Sequence, residues 1–166
     1  MRVLFVCSGN ICRSPMAAEY MRHVVASRGL DDLSVDSAGT LGIEGAQASP
    51  EAIEALGEIG LDLKLHRSRG VHAAQLEQAD LVIGMTHAHL LELASMFPRA
   101  RAPRFVLRAF ERGVEADPDA PDLADPIGKR LGFYRKQVPI ITRCVDHLAL
   151  HLARPEREGS GASRRP

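Results

Sequence analysis

The chain opens on a continuous apolar run, residues 3–7 (Val-Leu-Phe-Val-Cys). A run that short, with β-branched and aromatic members, reads as a strand buried on both faces. Small and polar residues (Ser8, Gly9, Asn10) interrupt it. After Ser14-Pro15 the apolar positions take a helical period, with Met16, Ala17, Tyr20, Met21, Val24 and Val25 on one stripe. Ser14 suits the N-cap, Pro15 the first turn where its missing N–H is not needed, and Gly29 the stop.

The same alternation continues along the chain. Residues 33–37 predict a second strand, running into Ser37-Ala38-Gly39-Thr40, and Ser49-Pro50-Glu51 starts a second helix that continues through Ile53, Leu56 and Ile59 to Gly60. Residues 81–85 predict a third buried strand, 87–95 a helix, and 104–107 a fourth strand. Residues 113–128 hold five acidic residues, three prolines and two glycines, which reads as a long loop of the kind that is usually functional or disordered. A last helix is expected over about 130–152, kinked or split at Pro139. Residues 154–166 are polar and rich in Gly, Ser and Arg, the composition of a mobile tail. Strands alternating with helices predict an α/β fold, a parallel sheet with helices on both faces, in one domain spanning 1–153. Ligands of such folds sit beyond the carboxyl ends of the strands, so the turn after Cys7 is the place to look.

Composition narrows the class. The chain has 166 residues, 45% apolar and 25% charged, as in an ordinary globular domain. Lys plus Arg and Asp plus Glu are both 21, a formal net charge of +0, which argues against a nucleic-acid binder. No apolar stretch reaches the ~20 residues that span a bilayer, and the N-terminus lacks the apolar core of a signal peptide. Three cysteines do not make a disulfide framework, and a reducing, cytoplasmic setting is expected.

The turn reads Cys7-Ser8-Gly9-Asn10-Ile11-Cys12-Arg13-Ser14-Pro15. Successive backbone N–H groups wrapping from a strand into a helix make an anion nest, reinforced by the helix N-terminus. Gly9 permits backbone angles a side chain would forbid. Arg13 can grip two oxygens of a tetrahedral anion with its planar fork. The same positive environment favours the Cys7 thiolate, the nucleophilic form of cysteine. A thiolate beneath a cradled phosphoryl group stands in line for attack. A leaving group also needs a proton, and the acidic loop offers Asp117, Asp119, Asp122 and Asp125 as general acid. His147 and His151 are spaced i, i+4, but with no third ligand in view they read as helix packing rather than a metal site, and Cys144 reads as core. Thr86, His87 and His89 read as polar residues at a helix start near the pocket rim. Nothing in the sequence calls for a cofactor.

The loop resembles the phosphate-binding loop of low-molecular-weight protein-tyrosine phosphatases. The likeness extends through Asp36-Ser37-Ala38-Gly39-Thr40, His66, Met85-Thr86 and Asp125-Pro126, covering about residues 2 to 152. It implies a four-stranded parallel sheet flanked by helices, with Cys7 as nucleophile, Arg13 as oxyanion clamp and Asp125 as general acid. Residues Ser8, Gly9, Asn10, Ile11, Cys12 and Ser14 would form the phosphate-binding loop, Ser14 donating to the Cys7 thiolate and Asn10, Ser37 and His66 bracing it. Cys12 is either a packed small residue or, by the resemblance, a disulfide partner of Cys7.

Eukaryotic-type members wall the groove with aromatic residues where this chain has Leu41-Gly42-Ile43 and Ile127-Gly128. Leu41, Ile43, Ile127 and Tyr134 are the expected groove residues here. The Asp125-Pro126-Ile127-Gly128 stretch, Met85-Thr86 and His89 resemble the bacterial branch that includes protein-arginine phosphatases. That branch carries a threonine at the position of Ile11, whose hydroxyl orients the hydrolytic water and leaves room for a guanidinium. The resemblance therefore implies hydrolysis of phosphotyrosine or small aryl phosphates through a cysteinyl phosphate, with phosphoarginine as the alternative. Arsenate reduction, or phosphate binding without catalysis, would use the same loop. The implied partner is a phosphorylated protein or a small aryl phosphate; a weak homodimer is compatible with it.

Overall fold

Residues 1–154 are described by a computed structural model, and a four-stranded, all-parallel sheet runs through its centre. Strand β1 (Arg2–Cys7) pairs with β2 (Ser34–Gly39) on one side and β3 (Leu81–Gly84) on the other; β3 pairs in turn with β4 (Arg104–Val106). The spatial order is β2-β1-β3-β4, so the chain reverses direction across the sheet between β1 and β3. Such sheets hold their ligands beyond the carboxyl ends of the strands at that switch point, which is where β1 ends at Cys7.

β1 is apolar without alternation because both of its faces are covered. Val3 and Phe5 point into a layer with Met16 and Met21 of α1 (Arg13–Arg28), Leu56 of α2 (Pro50–Gly57) and Leu148 of α5 (Leu131–Leu152). Leu4 and Val6 point the other way, toward Leu76 of α3 (Ala73–Gln78) and Leu93 of α4 (His87–Met96). Among the described residues no helix is long and apolar enough to cross a membrane.

Capping sets several boundaries. Ser49 accepts from the Ala52 N–H at 3.2 Å and starts α2. Gly29 takes a left-handed φ of 63° and returns its N–H to the Val25 carbonyl, ending α1. Four details differ from the sequence expectation. α2 stops at Gly57, short of the expected Gly60, and residues 58–60 form a turn. α1 starts at Arg13 with Cys12 in the capping position and no side-chain cap, because the Ser14 hydroxyl is used elsewhere. α5 is one helix through Pro139: the proline is exposed, so the Arg135 carbonyl that loses its partner can turn to water. α3 was not expected, since six residues with Leu76 as the one buried side chain leave no periodic signature. The expected tail, 154–166, lies outside the described residues from 155 onward.

The end of β2 is pressed against the turn after β1. Cys7 is in register with Gly39, and Gly39 also bonds to the next segment, donating to the Arg69 carbonyl at 2.9 Å and accepting from Val71 at 2.9 Å. A Cβ on Gly39 would lie 2.6 Å from the Ser8 carbonyl oxygen and 3.0 Å from the Asn10 nitrogen, both backbone atoms that cannot rotate away. Gly39→Ala is therefore expected to cost about 1–3 kcal/mol of stability in urea denaturation. Gly57→Ala, where a Cβ meets nothing within 4 Å, is the control and should leave stability unchanged or slightly higher.

Candidate active site

Cys7 is delivered at the last position of β1 and is 3% exposed. Residues 8–12 carry the chain from there into α1, and the turn is made at Asn10, which has φ of 53°. Asparagine tolerates the left-handed region better than most side chains do. Here every polar group of Asn10 also has a partner. Its N–H donates to Cys7 Sγ at 3.3 Å, and its Nδ2 donates to Ser14 Oγ at 2.9 Å and Ser37 Oγ at 3.0 Å. Its Oδ1 accepts from the Arg69 N–H at 3.1 Å, and its carbonyl accepts from His66 Nε2 at 2.7 Å. Ser14 Oγ lies 3.0 Å from Cys7 Sγ and accepts from Asn10; its own hydrogen can point at the sulfur, with the Ala38 carbonyl at 3.5 Å as the other acceptor. Ser37 and His66 thus both contact the loop through Asn10. Arg69 was not foreseen, since its contribution is a backbone N–H that no side-chain pattern reveals.

Arg13 opens α1 and is 3% exposed. One terminal nitrogen donates to the Leu123 carbonyl at 3.1 Å and the other to Asp125 Oδ2 at 2.6 Å. Its Nε is buried with no partner among the described residues. Asp125 comes from the acidic loop, held in place by the Leu123 N–H on the Met85 carbonyl (2.9 Å) and by Asp122, which accepts from the His87 N–H at 2.8 Å and lies 2.7 Å from His87 Nδ1. Burial works against the charge on Asp122, but the hydrogen bonds from His87 hold its carboxyl below the usual range. Asp122 is thereby spent on anchoring, and of the four loop aspartates it is Asp125 that lines the cavity over Cys7.

That cavity is about 350 Å³, with Cys7, Ser8 and Arg13 among its lining residues and Ile11 on its wall. Ile11 and Ile43 converge on Gly9, within 3.4 and 3.6 Å of where its Cβ would be. Leu41, Ile43 and Ile127 form an aliphatic rim, 67%, 37% and 53% exposed. Apolar side chains left in water around a polar floor mark a binding groove. Tyr134, expected on that wall, is not there: it is buried in the first half of α5, and its hydroxyl lies 3.3 Å from Cys12 Sγ and 3.3 Å from Ser49 Oγ. Cys12 is itself buried beneath the loop as a free thiol, and burial pushes its pKa up. Cys144 is fully buried in α5 and is pushed up to about 12 by burial. His89, read from sequence as a rim residue, is 3% exposed and bonds to Ser8, with Oγ to Nε2 at 2.9 Å.

A parallel α/β sheet with a cysteine at the end of its first strand, an arginine at the start of the next helix and an aspartate facing both defines a class of small cysteine-dependent phosphatases. The family described as low molecular weight phosphotyrosine protein phosphatase matches residues 2–158, and the chain belongs to it. It is 34% identical to the protein-arginine-phosphatase of Bacillus subtilis (strain 168) over 157 residues, 95% of this chain and 100% of that one. It is 41% identical over 128 residues to the low molecular weight protein-tyrosine-phosphatase of Streptomyces coelicolor, covering 73% of this chain and 76% of that one. Among solved structures, a YwlE arginine phosphatase, a Cys-to-Ser mutant with a phosphorylated active-site serine, superposes with a TM-score of 0.86 at 33% identity, covering 95% of this chain and 99% of that one. The protein is a phosphatase of this family.

His66 and His89 give the fold a pH signature. Burial lowers the pKa of both below the ordinary 6.5, with nearby arginines adding to it: Arg22, Arg69 and Arg67 for His66, Arg13 for His89. The unfolded chain therefore binds more protons at these sites than the folded one. Their contribution is fully present above about pH 6.5 and is lost as pH falls through the unfolded value toward the folded ones. Urea denaturation from pH 7.5 down to 5 should show falling stability, and His66→Gln, which can still donate to the Asn10 carbonyl, should flatten that slope.

Proposed function

We propose that the protein hydrolyses phosphotyrosine and small aryl phosphate monoesters through a cysteinyl-phosphate intermediate. The observation that carries this is the Cys7 sulfur, lining the cavity and held between the Ser14 hydroxyl and the Asn10 amide, with Arg13 and Asp125 facing the same space. In the first step the Cys7 thiolate attacks phosphorus, the S–P bond forms and the P–O bond to the leaving group breaks. The Asp125 carboxyl gives its proton to the departing oxygen. Arg13 and the loop amides carry the charge on the three remaining phosphoryl oxygens; the unpartnered Arg13 Nε is one donor a phosphoryl oxygen would satisfy. Ser14 stabilises the thiolate as leaving group in the second step, when the Asp125 carboxylate takes a proton from the attacking water, the S–P bond breaks and inorganic phosphate departs. The phosphorylated active-site serine of the YwlE mutant supports a covalent route in that relative.

The substrate preference rests on the walls. Ile11, Ile43, Leu41 and Ile127 bury an aryl ring by area alone, at roughly 25 cal/mol per Å². They present no carboxylate to a guanidinium, and Ile11 has no hydroxyl to orient water. Phosphoarginine is the second reading, favoured by the likeness to arginine phosphatases. Arsenate reduction is disfavoured because residues 80–100, around β3 and α4, contain no cysteine to discharge the intermediate.

Cys7→Ser should abolish turnover of para-nitrophenyl phosphate together with the pre-steady-state burst of phenolate; turnover at the wild-type rate sinks the mechanism. Asp125→Ala should slow phenyl phosphate by about 10²–10⁴-fold, while the activated nitrophenolate, which needs little help, should suffer far less. Rates on phosphotyrosine and phosphoarginine peptides measured side by side decide the substrate class: a ratio favouring phosphotyrosine is expected, and Ile11→Thr should move it toward phosphoarginine.

A further inference from the structure

We infer that His89 is a positioning residue of the phosphoryl site: it holds the Ser8 hydroxyl so that the Ser8 proton is donated into the cavity, to an oxygen of the phosphoryl group over Cys7. The inference rests on the phosphatase reading above and adds a side-chain donor to the backbone amides of the loop.

The hydrogen bonds around His89 fix the direction of the proton. The Thr86 backbone N–H, which can only donate, lies 3.1 Å from His89 Nδ1. Nδ1 is therefore an acceptor, and a neutral imidazole in that state carries its hydrogen on Nε2. Nε2 is the atom 2.9 Å from Ser8 Oγ, so His89 donates and Ser8 accepts. The Ser8 hydrogen cannot go back to His89, and it has no other acceptor among the described residues. Ser8 is among the residues that line the cavity with Cys7, Gly9 and Arg13, and the inference directs its proton to that side.

The imidazole is held rigidly. His89 sits in the first turn of α4 and is 3% exposed. Its N–H donates to Thr86 Oγ1 at 3.3 Å, and that oxygen lies 3.0 Å from Nδ1. Burial and the nearby Arg13 charge lower the pKa of His89, in the direction that favours the neutral ring the Thr86 N–H requires. A short chain of hydrogen bonds thus runs from the backbone after β3, through His89 and Ser8, to the place where a phosphoryl oxygen develops charge. His89 itself does not line the cavity and acts only through Ser8.

A tie that merely fastens the loop to α4 would use the same contact, so the test separates the two. Steady-state kinetics on para-nitrophenyl phosphate and competitive inhibition by inorganic phosphate would be measured for wild type, Ser8→Ala, His89→Ala, the double variant and His89→Gln, with thermal melting alongside. Ser8→Ala should lose about tenfold in phosphate affinity and in kcat/KM, the scale of one hydrogen bond to a charged group. His89→Ala should lose a similar factor, the double variant no more than the worse single one, and His89→Gln, whose amide can still donate to Ser8, should recover most of it. Unchanged phosphate inhibition in Ser8→Ala, or losses that multiply in the double variant, would overturn the inference. If His89→Ala fails to fold, Ser8→Ala and His89→Gln decide it on the same criteria. A wild-type protein that shows no turnover overturns the phosphatase reading itself, whereas a wild type with a normal burst and an indifferent Ser8→Ala overturns this inference alone.

Discussion

A chain that must turn from strand to helix within five residues, around a buried sulfur, needs one position to reverse its direction, and Asn10 is that position. Its left-handed backbone costs on the order of 1 kcal/mol. The five hydrogen bonds it makes, worth roughly 0.5–1.5 kcal/mol each, offset that. Their partners come from the end of β1, the start of α1, the middle of β2 and the segment 66–69. The loop is thus shaped from outside itself, and the close approach of Gly39 leaves the surrounding backbone nowhere to move. A loop braced on every side keeps its donors in place before any ligand arrives, which is the condition for stabilising charge that appears only during reaction.

Charge balance explains the opposite wall. A guanidinium 3% exposed is expensive to bury unless it is paired, and Arg13 is paired with one half-exposed carboxylate and one carbonyl, with a donor left over. The pair balances in charge, and what is left over is the hydrogen-bond donor on Arg13 Nε. Asp125 is both the counter-charge of Arg13 and the acid nearest the cavity, so an anion over Cys7 competes with it for the same N–H groups. Asp122 and Leu123 fasten the acidic loop so that this carboxylate stays within reach.

The rim supplies no such directionality. Its aliphatic side chains offer area without hydrogen bonds, and the one carboxylate among the lining residues is Asp125.

Much was legible in the one-dimensional pattern, and the rest was not, for a definable reason. The strand at 3–7, the alternation of strands and helices, the Ser49 and Gly29 boundaries and the short turn between Cys7 and Arg13 are local: they follow from apolar periodicity, capping chemistry and the reach of a short turn. Asp125 could be narrowed only to a group of four by position, because the loop that carries it has no period, and its place was decided by where Asp122 meets His87. Tyr134 looked like a groove residue because it follows the Asp-Pro turn, yet the phase of α5 rotates it inward against Cys12. Ser14 looked like a cap because its neighbours were right for one, and tertiary structure gave its hydroxyl to the sulfur instead. His89 was visible only as a polar residue at a helix start; its burial, its tautomer and its hold on Ser8 exist because β3 and β1 lie side by side. The sequence by itself determined the four strands, the longer helices and the residue types available at the first turn, since these depend on neighbours within a few residues. Which of the distant polar groups share a hydrogen with that turn was decided by the packing of the sheet, because contacts across tens of residues leave no period in the chain.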